Sequence, residues 1–407
     1  MHSQSSVANG SPAAGRPTLV IVLGMHRSGT SVTTRLMETM GASFGDKLWP
    51  AGPDNPKGFF EDSDVIRLNI DLMEATGVDW QALPPPDFSR LSAEQIEAFQ
   101  QRALDLLQEK CAGGMLALKD PRIARLLPFW LPVLDRFDAR VLYVVPFRHP
   151  LSVARSLEKR NQIPHSKSFM LWLAHVVPSL RSTEDRPRAL LNYDRLMEAP
   201  REELHKLAHT LGLPLDPASA ETFEQDFLEK DLRHSTFGFD DLERDSAAPA
   251  AMNTLFRALV AVAENASPDH LAAYTAALAN AEALLRDVTP TLQDGWNREL
   301  DIRQLYEVLD GLQKRAVALE RGMADAAVRE GEVRMALEES QRKLAAISDE
   351  KTRQVKSLNA SHEADVSTIH ELEARLARSE AELISLTSST SWRITAPLRK
   401  TRRYFGR

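Results

Sequence analysis

The sequence predicts an α/β fold, in which a parallel sheet is flanked by helices and followed by a long C-terminal coiled-coil helix. The first observation is a run rich in β-branched residues, 19–23, which leads through a glycine loop into helically spaced apolar residues. The second is a pair of later apolar runs, 115–118 and 140–147, each followed by charged residues, as at the carboxyl edge of an open sheet. The third is the C-terminal region, where apolar residues recur at alternating steps of three and four.

Length and composition divide the chain into parts. At 407 residues it is longer than one compact core usually needs, so we expect an enzyme-sized domain and a second part. Small and polar residues without periodicity predict a disordered lead at 1–15, and the α/β domain follows at 16–292. A coiled coil is predicted over 300–387, and residues 388–407 form a basic tail with aromatic side chains.

Composition also limits the compartment and the partners. The lone cysteine, Cys111, cannot form an intramolecular disulfide and is typical of a reducing compartment. The N-terminal residues lack the basic start and apolar core of a signal peptide, and no apolar run approaches the roughly 18 residues of a membrane span. A net charge of -7 argues against a nucleic-acid partner. We therefore expect a cytoplasmic protein.

The turn between the first strand and the first helix is predicted to hold an anion, because N–H groups at a helix start are unpaired and the helix dipole adds positive charge. It can be laid over the P-loop of nucleoside-triphosphate proteins, so the sheet is P-loop-like. Thr30 stands where that loop carries lysine, and the cation has moved to Arg27. This change favours a metal-free anion over a magnesium-bound triphosphate. The candidate binding residues are Gly24, His26, Arg27, Ser28, Gly29, Thr30 and Ser31.

The string Gly-Met-His-Arg-Ser-Gly-Thr-Ser resembles the 5′-phosphosulfate loop of the sulfotransferases that depend on 3′-phosphoadenosine 5′-phosphosulfate (PAPS), particularly the bacterial and carbohydrate-modifying branch. The resemblance implies PAPS as co-substrate, no metal, and a 3′-phosphate site made of an Arg and a Ser eight positions apart after a later strand. Arg148 and Ser156 reproduce that spacing, and an Arg fork matches phosphate oxygens. Tyr193 resembles the tyrosine at the end of a late strand of the family, which implies a place near the adenine.

The same resemblance implies the residues of transfer. Lys119 follows the strand at 115–118, where the family has a lysine that touches the sulfonate. The cytosolic branch has a catalytic histidine two positions later, and Pro121 stands there in this chain. Carbohydrate and tyrosine sulfotransferases use an acid in the loop after the first helix as the base. We therefore interpret Glu61 as the base, with Lys119 and Arg27 stabilising charge on the sulfonate and the leaving phosphate.

Simpler interpretations stand beside these roles. Glu61 or Asp62 can merely cap the helix that starts near residue 63. His149 is the reserve candidate for the base, although a histidine before proline at a helix start is more often a cap. Asp120 and Arg122 are expected to form an ion pair that holds their loop.

The C-terminal region predicts an assembly. A long exposed apolar stripe needs a partner, so we expect a homo-oligomer, most simply a dimer, through 300–387. The tail from 391 onward holds six cations, no acid and three aromatics, which suggests peripheral contact with an anionic membrane at its inner face or with envelope glycan machinery. It also resembles the tail of bacterial enzymes that build envelope polysaccharides. The apolar seam includes Ile302, Leu305, Leu309, Leu312, Leu344, Val355 and Leu358.

The sequence thus predicts a sulfotransferase that moves a sulfonate from PAPS to a hydroxyl, expected to belong to a cell-envelope glycan. Two alternatives stay open. One is a small-molecule kinase with a degenerate P-loop, and the other is a non-catalytic coiled-coil scaffold whose α/β domain senses a nucleotide.

Overall fold

The computed structural model describes residues 16–52, 55, 57–228, 237–328 and 337–388. A four-stranded parallel sheet has the order β2-β1-β3-β4, which confirms the predicted α/β class. The predicted disordered lead and residues 389–407 of the predicted tail lie outside the described residues. The strands are β1 Thr18–Val22, β2 Met115–Lys119, β3 Arg140–Phe147 and β4 Arg188–Asn192.

Helices cover both faces of the sheet and continue beyond it. The first group is α1 Thr30–Leu36, α2 Ser63–Ala75, α3 Ala93–Lys110, α4 Leu127–Arg136, α5 Pro150–Asn161, α6 His165–Ser182 and α7 Tyr193–Glu198. The second group is α8 Pro200–Leu211, α9 Pro217–Thr222, α10 Phe239–Arg244, α11 Ala250–Glu264, α12 Pro268–Val328 and α13 Leu337–Ser388. A π-helical turn, Phe223–Phe227, follows α9.

Between their end residues the strands are apolar, because both faces of the sheet are covered. On one face Ile21 and Tyr143 pack into a core with Trp130 of α4 and Trp172 of α6. On the other face Val20 packs among residues of α1 and α8. Each large apolar side chain that is fully buried stabilises the fold by about 1.5–3 kcal/mol. The sheet is therefore a rigid base for the loops at its carboxyl edge.

The strand register brings the functional loops together. Val22 lies opposite both Lys119 and Val144, and Phe147 lies opposite Asn192. The strands therefore end side by side at one edge. The glycine loop and the residues after β2, β3 and β4 all leave the sheet there, as ligand-binding loops do in open α/β sheets.

The chain forms two compact units, Met1–Gln304 and Leu305–Arg407. In the first unit the indole Nε1 of Trp296, a residue that is 3% exposed, donates to the carbonyl of Gly77 at 2.9 Å. Arg303 pairs with Asp79 at 2.6 Å.

The second unit consists of the end of α12 and of α13 in its described residues. Apolar side chains at Leu344, Val355 and Leu358 are exposed on α13. Their pairing with another chain stays a prediction. Within the part of the chain that the structure describes, no helix meets the length and apolarity of a membrane span.

Candidate functional site

The glycine loop between β1 and α1 takes its shape from two left-handed residues. Arg27 has φ +68° and Gly29 has φ +84°, and the N–H of Ser28 donates to the carbonyl of Met25 at 3.2 Å. A left-handed arginine is uncommon, because its Cβ crowds the backbone. The turn leaves the Ser28 hydroxyl fully buried and without a hydrogen-bond partner among the described residues.

Gly29 is required by its neighbour as well as by its backbone angle. A Cβ at this position would overlap the ring of Tyr193, which follows β4. The guanidinium of Arg148 also lies over the Tyr193 ring, 4.6 Å from its centroid. Gly29 and Arg148, which follow β1 and β3, therefore both contact the ring of Tyr193, which follows β4.

The loop also contacts the residues after β3. Nε of Arg27 donates to Oγ of Ser156 at 2.7 Å, and Nη1 of Arg148 donates to the carbonyl of Arg27 at 3.4 Å. Nε of Arg148 is buried and has no partner in the described residues. We call the loop 24–31 with Arg148, Ser156 and Tyr193 the donor cluster.

His149 begins α5 as a cap. Its Nδ1 accepts from the N–H of Leu151 at 3.2 Å, and its Nε2 lies 3.1 Å from the carbonyl of Gly238. A ring that accepts at Nδ1 and donates at Nε2 is neutral. Burial lowers the pKa of His149, which favours the same form. The geometry thus confirms the cap interpretation and leaves Glu61 as the candidate base.

Glu61 is not used as a cap. Asp62 is the cap of α2, because its Oδ1 accepts from the N–H groups of Asp64 at 3.0 Å and Val65 at 3.4 Å. Glu61 is instead buried, 7% exposed, and pairs with Nζ of Lys119. Burial raises the pKa of Glu61, and the charge of Lys119 opposes that rise.

Lys119 holds several groups at the end of β2. Its Nζ lies 3.1 Å from the carbonyl of Phe59 and 3.3 Å from the hydroxyl of Ser31, besides the pair with Glu61. The Ser31 hydroxyl also accepts from Nδ2 of Asn55 at 3.2 Å. Lys119 and Ser31 therefore join the donor cluster to Glu61.

We call residues 47–61 the base loop; its described residues, 47–52, 55 and 57–61, are held by contacts within the loop and with distant elements. Trp49 N–H donates to the carbonyl of Glu61 at 2.7 Å. Phe60 has φ +54°, and its ring lies 6.0 Å from that of Phe227. The buried ammonium of Lys110 lies 2.9 Å from Asp62, immediately after the base loop.

A cavity of about 280 Å³ opens where the donor cluster meets the base loop. Arg27, Ser31, Lys119 and Glu61 line it together. This volume is near the lower end of ligand sites, which span roughly 300–1,000 Å³.

Residues outside the predicted transfer set also line this cavity. Arg122 forms the expected ion pair with Asp120 at 2.9 Å, yet it faces the cavity as well. His26, predicted to touch the donor, packs its ring 4.7 Å from that of Trp80, and burial lowers the pKa of His26 well below its usual value. His26 is therefore a neutral residue of the cavity wall.

Two polar atoms of the donor cluster are open to an anion. The buried Ser28 hydroxyl and the buried Nε of Arg148 both lack a protein partner among the described residues, and buried polar groups normally have one. The described residues contain no group of three or more His, Cys, Asp or Glu that could hold a metal ion. The two open donors fit an anionic group such as a phosphate.

Sequence reasoning missed two residues of the site. Asn55 and Trp49 lie in the base loop and have no regular structure to place them. The only signal was composition, because an asparagine in a segment rich in proline and glycine indicates a turn.

Comparison with known proteins finds solved sulfotransferases at low similarity. The sulfotransferase domain from the curacin biosynthetic pathway is 21% identical over 51% of this chain and 78% of its own, with a TM-score of 0.32. That of the Synechococcus PCC 7002 olefin synthase is 20% identical over 62% and 96%, with a TM-score of 0.34. A Mycobacterium tuberculosis sulfotransferase is 15% identical over 53% and 72%, with a TM-score of 0.31. No family model and no curated protein matches the chain. Likeness at this level carries no conclusion about activity or substrate.

Proposed function

We propose that this protein is a sulfotransferase that moves a sulfonate group from PAPS to a sugar hydroxyl of a cell-envelope glycan. The observation that carries the proposal is the contact of 2.7 Å between Nε of Arg27 and Oγ of Ser156. It joins the glycine loop to the Arg–Ser pair after β3. Those two motifs are the ones that resemble the 5′-phosphosulfate and 3′-phosphate sites of the family.

The donor cluster would bind the two charged ends of the nucleotide. Arg148 supplies a guanidinium whose Nε is buried and open to a new partner, and Ser28 supplies a buried hydroxyl in the same condition. Charge-assisted hydrogen bonds of this kind contribute about 1.5–3 kcal/mol each. The ring of Tyr193, packed between Gly29 and Arg148, would limit how the donor enters.

The base loop would activate the acceptor. PAPS supplies a sulfonate bonded to a good leaving group, the 5′-phosphate. Glu61 takes the proton of the acceptor hydroxyl as the new oxygen–sulfur bond forms and the bond from sulfur to the 5′-phosphate oxygen breaks. Lys119 and Arg27 stabilise the negative charge that collects on the leaving phosphate.

Lys119 also links donor binding to the base. Its ammonium pairs with Glu61 while lying 3.3 Å from Ser31 of the donor cluster. An anion at the loop would draw the ammonium from the carboxylate, so that Glu61 is released to accept a proton only when the donor is bound.

Titration calorimetry tests the proposal against the two alternatives. We expect 3′-phosphoadenosine 5′-phosphate (PAP) to bind the full chain, to do so equally in EDTA, and to outcompete ATP with magnesium. Preference for ATP with magnesium would instead support the kinase, whose P-loop lysine is here the buried Thr30. Binding of PAP without sulfonate transfer to any glycan hydroxyl would support the scaffold.

A second proposal concerns the C-terminal helices, which we infer to pair with those of another copy. Leu344, Val355 and Leu358 expose 40%, 49% and 49% of their surface on α13. Their positions follow the heptad seam of the sequence. Sedimentation of the full chain should therefore give an oligomer, most simply a dimer.

A further inference from the structure

The cavity that contains Glu61 extends beyond the residues assigned to transfer. Its outer wall carries Arg122 and the large exposed ring of Trp49, and neither has a task in the reaction as described. These two residues differ in chemistry, since one is a fixed cation and the other a flat apolar surface. Together they limit which acceptor the cavity can take.

Arg122 is fixed in place by a buried network. Oδ1 of Asp120 accepts from the N–H of Arg122 at 3.0 Å and from its Nη1 at 2.9 Å. Oδ2 of Asp120 accepts from Nδ2 of Asn69 at 2.9 Å, and Nε1 of Trp130 donates to the Asn69 amide oxygen at 2.9 Å. Across the described residues, the side chain of Arg122 has no hydrogen-bond partner other than Asp120. Its Nε and Nη2 donors are thus available to a ligand.

The cavity wall offers cationic side chains to a second anion besides the donor. Four cationic side chains line it against the carboxylate of Glu61: Arg27, Lys119, Arg122 and Arg160. In the proposed reaction Arg27 and Lys119 serve the donor. Arg122 has no role in donor binding as proposed, and a rigid guanidinium fork with open donors matches a carboxylate in two parallel hydrogen bonds.

Trp49 provides the surface beside that cation. The residue is 48% exposed, and Ile70 on the same wall is 36% exposed. The backbone N–H of Trp49 donates to the carbonyl of Glu61, so the backbone that carries the ring is fixed to the backbone of the candidate base. A flat apolar ring with polar groups at its border suits a pyranose, whose C–H face is apolar and whose rim is polar.

We propose, building on the proposed function, that the acceptor is an acidic sugar. The uronic-acid ring lies on Trp49 and its carboxylate pairs with Arg122. This arrangement brings a hydroxyl of the same or the next sugar to Glu61. Arg122 and Trp49 are then the residues that determine acceptor specificity.

The test uses matched pairs of oligosaccharides, each containing uronic acid and each paired with its carboxyl-reduced form. Binding to the full chain is measured by calorimetry with and without saturating PAP. The acidic member of at least one pair should bind roughly ten-fold or more tightly than its reduced form, the usual effect of a charge-assisted pair. Equal binding within every pair, or binding of neither member, would overturn the inference.

Variants identify the residues responsible. Arg122→Gln should remove the difference in affinity between the acidic and the reduced member of a pair. Arg122→Lys, which keeps the charge beside Asp120, should make that difference smaller. Lys159→Gln is the matched control, because Lys159 is exposed on α5 and does not line the cavity. If Arg122 is only structural, the affinity for both members should fall equally in Arg122→Gln and should be restored equally in Arg122→Lys.

The aromatic surface has its own control. Trp49→Ser should weaken the acidic and reduced forms alike, while Leu48→Ser, at an exposed neighbour outside the cavity, should weaken neither. An unchanged affinity in Trp49→Ser would remove the ring from the proposal. The proposed function fails separately, by absence of PAP binding, because the oligosaccharide titrations are also run without PAP.

Discussion

The donor cluster and the base loop would serve one reaction, but they are constructed differently. Most of the donor cluster is placed by regular structure, because its parts follow strands of the sheet within a few residues. These parts are the loop 24–31, Arg148 and Tyr193. The described residues of the base loop contain no strand. Distant residues position the loop, because Phe227 packs near the Phe60 ring and Lys110 pairs with Asp62 at the end of the loop. Donor recognition therefore depends on local sequence, whereas the position of the base depends on packing across the unit.

The largest expected effect is a loss of turnover from a change in the base loop, without a loss of donor binding. Glu61→Gln keeps the size of the side chain but removes its basicity, so turnover should fall about 10²–10⁴-fold. PAP affinity should not fall and should rise if Glu61 competes for Lys119, because the neutral amide no longer holds the ammonium of Lys119 away from the anion. Steady-state kinetics and calorimetry measure the two quantities, and Glu74→Gln, exposed on α2, is the control. Normal turnover in Glu61→Gln would remove this residue from the mechanism.

The pH dependence of kcat/KM also tests the assignment of Glu61 as the base. Glu61 accepts a proton only as a carboxylate, so kcat/KM should fall as the pH drops through its pKa. Burial raises that pKa above the ordinary 4.5, so the acid limb should lie at a higher pH than for an exposed glutamate. The limb should be absent from the residual activity of Glu61→Gln. An identical limb in both proteins would assign it to another group.

The next effect should fall on the donor cluster alone. Arg148→Ala removes a guanidinium with a buried open donor, so the Kd for PAP should rise roughly 10–100-fold, which corresponds to a charge-assisted hydrogen bond. EDTA should change nothing. Arg155→Ala is the matched control, since this arginine of α5 lies 4.5 Å over the Phe237 ring and outside the donor cluster. Unchanged PAP affinity in Arg148→Ala would contradict the PAPS assignment.

What could be predicted from the sequence follows the same division. Gly29, Lys119 and Arg148 could be placed because each stands at a fixed distance from an apolar strand, and parallel strands end at one edge. Contact between Arg27 and Ser156, 129 positions apart, needed the strand order, which spacing alone does not supply.

The base loop was less predictable. Sequence reasoning left open whether Glu61 is the base or whether Glu61 or Asp62 merely caps α2. The structure distinguishes them because Lys119 holds one carboxylate and Lys110 the other. These are contacts over 58 and 48 residues, which no local pattern encodes. Loop residues placed by such contacts, Trp49 among them, become visible only in three dimensions.

A smaller effect should test how tightly Tyr193 joins the parts of the donor cluster. Gly29→Ala and Gly41→Ala both place a Cβ at positive φ, +84° and +90°, and this backbone strain alone should lower the free energy of unfolding of each by about 1–2 kcal/mol, with a further loss in Gly29→Ala. Only at position 29 does the new Cβ overlap Tyr193, since position 41 has nothing within 4 Å. PAP affinity should therefore weaken in Gly29→Ala and not in Gly41→Ala. Chemical denaturation and calorimetry give both values, and equal PAP affinities would show that the ring does not transmit the change.

The smallest effect on catalysis should come from the largest deletion. A chain ending at Gln304 keeps the hydrogen bond from Trp296 to Gly77 and the ion pair of Arg303 with Asp79. The first unit therefore retains its own contacts. Its PAP affinity and turnover should stay within about two-fold of the full chain, as expected of a compact unit with its own core. Sedimentation should show a monomer, because the exposed apolar residues of α13 have been removed. In the full chain, Val355→Lys with Leu358→Lys should disrupt the oligomer by placing charge on the seam, whereas Lys356→Gln should not. A truncated chain that still associates would assign self-association to the α/β unit, and a loss of turnover on truncation would mean that the C-terminal helices take part in the reaction.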